Sequence, residues 1–319
     1  MKYPRYIESY ENGALERLAD TAWEMLGSCA LCPRRCNVNR LNDQKGYCRT
    51  GKKAVVCSYM AHLGEEPPIS ASKGSGTIFF SNCNMSCTYC QNFKFSQLDE
   101  GRRVEIEELA GFMLELQKQG CHNINLVTPT HIMPQILKAL LLAVAKGLSI
   151  PICYNTSGYE LPQVIKMLEI VVDIYLSDMR YADRQMAEKY SQAPDYPKYN
   201  QDSIKLMHRQ TGIPTISEDG VIRRGLITRL LVLPNNISGT EEIARFLSSE
   251  ISKDTYISLM SQYFPCNKAD QIKELSRRIT LEEYEDAVKI IHKYGLYNGW
   301  VQESGGLARF AGTNIKKNI

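Results

Sequence analysis

The stretch TIFFSNCNMSCTYCQNF, residues 77–93, joins a short apolar, β-prone run to three closely spaced cysteines. The run 77–81 reads as a buried strand, and Cys83, Cys87 and Cys90 follow it as C-x3-C-x2-C on the loop that leaves the strand. Thiolates are soft ligands suited to iron, and cysteine-only ligation is the usual protein support of iron–sulfur cubanes. Three thiolates are one too few to close a cubane, which leaves one iron open to a small ligand. Two plainer readings stand beside this one: a zinc completed by a fourth ligand, since short cysteine spacings also serve zinc, or three unligated buried thiols.

Outward from that stretch, strand-like and helix-like patterns alternate. Strands are expected over 77–81, 123–128, 149–153, 172–177, 226–233 and 256–259. Between the first two, Leu109, Phe112, Met113 and Leu116 mark one apolar helical face; Ile136, Leu140 and Val144 mark another, and Tyr284, Val288 and Ile291 a late one. Six such repeats predict an α/β fold with parallel strands, in which function sits on the loops after the strands.

The chain of 319 residues is long enough for one barrel and a small appendage. A net charge of +3, with basic pairs scattered rather than grouped, does not point to nucleic acid. The most apolar segment, 136–152, is broken by Lys138 and Lys146, and residues 1–13 lack a secretory core, so a cytoplasmic, membrane-free setting is expected. Eight of the eleven cysteines fall before or within the 77–93 stretch, a distribution that favours metal chemistry over a disulfide scaffold.

The earlier group is CALCPRRCNVNRLNDQKGYC, residues 29–48, in which Cys29, Cys32, Cys36 and Cys48 form C-x2-C-x3-C-x11-C, with Cys57 beyond. Four thiolates at these spacings can wrap one metal through short turns. A structural zinc, an auxiliary iron–sulfur cluster and a partly ligated thiol group all satisfy the pattern, and Cys57 is a fifth candidate ligand. The expected division is a cysteine-rich metal-binding segment over 1–67 and a barrel with a C-terminal helical extension over 68–319.

The C-x3-C-x2-C array, with Tyr89 before its last cysteine, resembles the cluster loop of radical S-adenosylmethionine (radical SAM) enzymes. The leader LCPRRC followed by G-x-C resembles their branch labelled pyruvate formate-lyase activating enzyme-like. The resemblance implies an incomplete (β/α)6 parallel TIM-like barrel with an N-terminal cysteine-rich appendage. It implies a [4Fe-4S] cluster on Cys83, Cys87 and Cys90, with S-adenosyl-L-methionine chelating the fourth iron. It further implies reductive cleavage to a 5'-deoxyadenosyl radical that abstracts hydrogen from a substrate. An electron donor such as flavodoxin or ferredoxin and a protein or peptide substrate, including a glycyl-radical enzyme, are the partners it suggests. Alternatives are a glycyl-radical enzyme activase proper and a non-catalytic iron–sulfur or zinc scaffold.

The loops after the strands supply the remaining candidates. LVTPTHIMP, residues 126–134, stands where the family carries a glycine-rich acidic motif that is absent here, and Asn125, Thr128 and Thr130 are the substitutes for cosubstrate contact. His131 is either a helix-start residue or a proton carrier. Asn155, Thr156 and Ser157 in CYNTSGYE offer amide and hydroxyl groups for the cosubstrate or for capping a turn. Asp178 and Arg180 in DIYLSDMRYAD pair with each other or meet a ligand, and the arginine replaces the lysine usual in the family. Arg229 interrupts an apolar strand, and a buried guanidinium demands a carboxylate, from the cosubstrate or from a neighbouring Asp or Glu. Tyr263, near the sixth strand, positions substrate or simply packs. Phosphate-loop, serine-hydrolase and HExxH signatures are absent.

Overall fold

The computed structural model describes residues 3–302 and the backbone of Thr313–Asn314. Its strands are β1 (Ala54–His62), β2 (Ser75–Phe80), β3 (Arg102–Val104), β4 (Ile124–Val127), β5 (Ile152–Thr156), β6 (Ile174–Asp178), β7 (Thr215–Ile216), β8 (Ile222–Leu231), β9 (Tyr256–Met260), β10 (Asn298–Val301) and β11 (Thr313–Asn314). They form one sheet in the order β11-β10-β9-β8-β6-β5-β4-β2-β1-β3, with β7 paired to β8. Ladders from β2 through β4, β5, β6, β8 and β9 to β10 are parallel. The outer pairings of β1, β3, β7 and β11 are antiparallel.

All six expected parallel strands are present; the fifth, expected over 226–233, runs Ile222–Leu231, and two further departures stand out. The third was expected over 149–153 but runs Ile152–Thr156. Pro151 lacks an N–H and enters the ladder only through its carbonyl, which accepts from Ile124 N at 2.9 Å. Asn155 and Thr156 stay in the strand because their side chains have buried partners, described below. The second departure is β10, a further parallel strand beside β9. Gly299 at φ 116° makes that pairing feasible, since a Cβ there would run into the Ile257 carbonyl.

Helices cover the sheet as the periodicity dictates. Leu109, Ala110, Phe112, Met113 and Leu116 of the helix Ile106–Lys118 are buried, as are Ile136, Leu137 and Leu140 of Met133–Ala145. Tyr284, Ala287 and Ile291 of Leu281–Lys293 are buried likewise. Each of the Leu, Ile, Phe and Met side chains among them contributes about 1.5–3 kcal/mol by leaving water. The late helix belongs to the expected C-terminal extension; the part of that extension at 303–312 and 315–319 lies outside the described residues.

The described part of the N-terminal segment, residues 3–67, shares this core. Leu15, Ala19, Ala22 and Leu26 bury into the same cluster as Leu137 and Leu140. Arg5 is buried; its guanidinium donates to the Glu169 and Gln210 carbonyls, and its main-chain N–H donates to Asp173 Oδ1 at 3.3 Å. Through β1, the segment continues the sheet. Among the described residues, no helix is long and apolar enough to cross a membrane.

Candidate active site

The loop after β2 carries Cys83, Cys87 and Cys90 at the C-terminal end of the parallel strands. It is fixed on both sides: Thr88 N donates to Tyr190 O at 2.8 Å, and Lys268 N donates to Thr88 O at 2.9 Å. Gln97 and Asn267 amides donate to Cys87 O at 2.9 and 3.2 Å. Met85, Tyr89, Tyr181, Tyr190, Tyr196 and Tyr263 form an apolar shell around the thiols. Tyr89 meets Tyr181 and Tyr263 edge-on, with centroids at 6.3 and 6.0 Å.

Polar groups reach each sulfur. Met85 N lies 3.3 Å from Cys83 Sγ, Ser96 Oγ 3.2 Å from Cys90 Sγ, and Arg180 Nη1 4.0 Å from Cys87 Sγ. Burial, then the neighbouring thiol Cys87, pushes Cys83 up to about 12, and burial likewise raises Cys90. Among the described residues, no three His, Cys, Asp or Glu side chains are drawn together around a single-ion position. A cubane spreads three cysteine ligands over three irons, so these thiols need not converge on one point. A dry shell, sulfur-directed donors and a three-thiol loop fit such a cluster.

A cavity of about 320 Å³ opens beside the loop, lined by Tyr89 and Cys90 and, further in, by Glu65, Glu66, Asp178, Arg180 and Arg229. Asp178, at the end of β6, accepts from Arg180 Nη2 at 2.5 Å and from Arg229 Nε at 2.7 Å. Burial alone would raise its carboxyl, but Arg229 and Arg180 outweigh burial and hold it below the usual range. Arg229 also donates to Asn155 Oδ1 at 2.8 Å and lies 3.6 Å from Glu65 Oε2. The carboxylate that Arg229 demands is therefore supplied from within, by Asp178 and Glu65. Arg180 keeps Nε buried and unpartnered beside the cavity, which fits the carboxylate of an amino-acid ligand such as S-adenosylmethionine.

The other expected site residues divide into two groups. Asn125 and Asn155 belong to the charged centre, both donating to Glu65 Oε1, at 3.0 and 3.4 Å. Thr130 and Thr156 instead donate to Glu160 Oε1, each at 2.5 Å. Glu160 is fully buried, and burial lifts it to about 7. Thr128 takes φ 62°, strained for a β-branched residue, and donates its N–H to Asn155 O at 2.9 Å. Ser157 lends its carbonyl to Tyr196 OH at 2.7 Å and leaves its hydroxyl buried without a partner. Tyr263 is buried and donates to Leu275 O at 2.6 Å, behind Tyr89 rather than on the cavity. His131 also stands off the cavity: its Nε2 meets Ser81 O at 2.9 Å, and burial lowers its pKa to about 3.

Cys29, Cys32, Cys36 and Cys48 line a second, small pocket, closed by Leu31, Val38, Gly46, Arg40 and His131. Arg40 is buried there, with Nη1 3.7 Å from Cys29 Sγ and 2.6 Å from His131 O. Cys57 is not brought to them; it lies on β1 in a separate groove with Tyr59, Arg102 and Phe112. The two cysteine sites abut. Arg34, between Cys32 and Cys36, donates from Nε to Asn84 O at 3.0 Å, inside the 83–90 loop, and stacks 3.7 Å above Tyr47.

Glu65, Glu66 and Glu160 escape the sequence reading. A usable signal was the adjacent acid pair followed by Pro67-Pro68, directly before the first barrel strand, together with the unmatched Arg229.

The radical SAM superfamily model matches residues 77–177, from β2 with its cysteine loop to the end of β6. These residues form a radical SAM superfamily domain. An uncharacterized protein of Methanocaldococcus jannaschii is 30% identical over 300 residues, 91% of this chain and 82% of that protein. Two solved structures of HydG, a maturase of FeFe-hydrogenase, align at TM-score 0.47. One is 14% identical, covering 68% of this chain and 48% of the other; the second, from Carboxydothermus hydrogenoformans, is 13% identical, covering 69% and 50%. The chain thus spans about half the length of these structures. A domain of this superfamily implies an enzyme that uses a [4Fe-4S] cluster and S-adenosylmethionine.

Proposed function

We propose that Cys83, Cys87 and Cys90 hold the cluster and that this enzyme reductively cleaves S-adenosylmethionine to abstract hydrogen from a substrate in the 320 Å³ cavity. The observation that carries the reading is the three-cysteine loop in its aromatic shell, opening on a cavity where Arg180 stands between Cys87 and Asp178. When bound, the cluster and its cosubstrate supply the electron and the carbon radical. The protein's part is positioning. Arg180 takes the cosubstrate carboxylate, oriented by Asp178, while Tyr89, Tyr181 and Tyr263 keep water from the sulfurs. Asn125, Asn155 and Arg229 hold Glu65 and Asp178 in place below. A flavodoxin or ferredoxin in the cytoplasm is the electron source this chemistry calls for.

The segment 3–67 is proposed to carry a metal on Cys29, Cys32, Cys36 and Cys48, as an auxiliary iron–sulfur cluster whose ligands need not converge on one point or, with the thiols drawn together on one ion, as zinc. Support comes from the shared pocket of the four thiols and the Arg40 cation beside Cys29. Where the substrate is a glycyl-radical enzyme, partner-dependent formation of a stable glycine-centred radical identifies it; a molecule enclosed in the cavity gives none.

The cluster assignment is tested by electron paramagnetic resonance of the reduced, reconstituted protein. A cubane signal that shifts on adding S-adenosylmethionine, and that is lost in Cys87→Ala, supports it. A signal indifferent to the cosubstrate favours a scaffold without catalysis.

A further inference from the structure

Glu65 and Glu66 enter the barrel from the end opposite the cluster loop. Because β1 runs antiparallel to β2, His62 pairs with Ser75 at the start of β2, whereas the cysteines follow its end. A six-residue strand separates those two levels by roughly 17–20 Å. The turn that presents the acids is rigid: Glu65 N donates to Ser70 Oγ at 3.0 Å, Ser70 Oγ donates to His62 O at 3.2 Å, and Pro67-Pro68 open the short helix that follows. Yet Glu65, Glu66 and Cys90 line one cavity, which therefore reaches from the cluster loop down to an acidic floor.

The two acids differ in how they are served. Glu65 is satisfied by Arg229, Asn125 and Asn155. Glu66 is 6% exposed, with the Ser258 hydroxyl facing its carboxylate, and its Oε2 is buried without any partner. A buried carboxylate oxygen left unpaired is costly, and such orphans call for an explanation in ligand or ion. With all three acids ionised, the cavity's charges leave the same remainder: Glu65, Glu66 and Asp178 face Arg180 and Arg229. His62, also on the wall, does not redress this, since burial lowers its pKa. The cosubstrate does not redress it either. With its amino nitrogen ligating iron as the free amine, it would carry one sulfonium and one carboxylate, which cancel.

We propose that Glu66, seated beside Glu65 on the floor of the cavity, binds a protonated amine or guanidinium of the substrate, so that the enzyme acts on a cationic molecule. The inference rests on the radical SAM reading for what occupies the upper cavity, and it deepens that reading by naming the substrate class. A cation placed against Glu66 gains a charge-assisted hydrogen bond and removes the unmatched carboxylate in one step. Burial, offset in part by Arg229, pushes Glu66 up to about 7, and an arriving cation would restore its ionised form.

The test is equilibrium dialysis on the reconstituted full chain with S-adenosylmethionine present, using labelled agmatine, labelled 1,5-diaminopentane and, as an anionic control, labelled glutarate. Saturable binding of at least one cation, none of glutarate, and at least tenfold weaker cation binding in Glu66→Gln is the expected result. Glu66→Asp, which keeps the charge but draws it back, should weaken binding less than Glu66→Gln, and thermal melts confirm that both variants fold. Failure of both cations to bind saturably, or binding indifferent to Glu66→Gln, overturns the proposal. So does a loss of S-adenosylmethionine affinity in Glu66→Gln equal to the loss for the cation, because the acid would then serve the cosubstrate. Binding is read without turnover, so a failure here is distinguishable from a failure of cosubstrate cleavage.

Discussion

Replacing Arg229 by Met removes the cation around which the barrel's charged centre is arranged. Arg229 lies 2.7 Å from Asp178 and 3.6 Å from Glu65, with side chains 18% exposed for the arginine and 9% for each acid, so solvent screens these pairs little. Removing one partner of a buried ion pair costs about 3–5 kcal/mol, because the remaining charge is left uncompensated. Arg180 still faces Asp178, but Glu65 loses its ion-pair partner and Glu66 its nearby opposing charge. The sign of the pH dependence follows. Without Arg229, Glu65 and Glu66 have folded-state pKa values further above their unfolded values. Stability is then fully present below the unfolded carboxylate range and is lost as pH rises through the folded values. The deficit relative to wild type should already be present near pH 5, where Asp178 is ionised and loses Arg229, and should grow to the full 3–5 kcal/mol at pH 8, about 4–8 °C in melting temperature for a chain of this length. Urea titrations at pH 5, 6.5 and 8 measure it. Adding Glu65→Gln to Arg229→Met should recover part of the loss, since contacting residues couple by about 0.5–3 kcal/mol. A deficit under about 1 kcal/mol at pH 8, or one equal at all three values, refutes this electrostatic account.

Three further outcomes are expected. In Gly46→Ala the new Cβ would press on Cys36 Cβ and Sγ at 2.6 and 2.7 Å, so metal retained by the four-cysteine pocket should fall; elemental analysis showing full retention contradicts this. Arg34→Ala cuts the hydrogen bond to Asn84 O and should lower retention of iron by the 83–90 loop, read from iron content and the reduced-cluster signal; unchanged loading argues against coupling of the two cysteine sites. Glu160, lifted by burial from 4.5 to about 7, contributes stability that is present below pH 4.5 and is lost as pH rises through 7, about 3 kcal/mol in all. Glu160→Gln should flatten that part of the pH–stability curve, and an unaltered curve refutes the assignment.

Much of the barrel was legible because its signal is local. An apolar β-prone run followed by C-x3-C-x2-C places both the strand and the loop chemistry, and helices such as Ile106–Lys118 announce their buried face by spacing. Asp178, Arg180 and Arg229 were legible as ends of apolar strands that carry charge. What escaped depends on contacts distant in sequence. β1 hides in a cysteine-rich segment and becomes a strand by pairing with β2; β10 is four residues long and relies on a glycine packed against Ile257. Thr130 and Thr156 look like ligand-facing hydroxyls until Glu160, unremarkable in sequence, is seen to accept from both. His131 was open to two readings, helix start or proton carrier, and the fold favours the first: it sits in the turn Thr130–Ile132 before Met133–Ala145, with its Nε2 on the Ser81 carbonyl. Glu65 and Glu66 drew no reading, since nothing local says that their turn enters the sheet's interior.

The central claim is tested most directly by anaerobic incubation of iron–sulfur-reconstituted protein with S-adenosylmethionine, following 5'-deoxyadenosine with and without reductant, alongside Cys87→Ala. The account predicts product that requires reductant and disappears in the variant; absence of product from wild type whose cubane is verified to be present and reducible contradicts it.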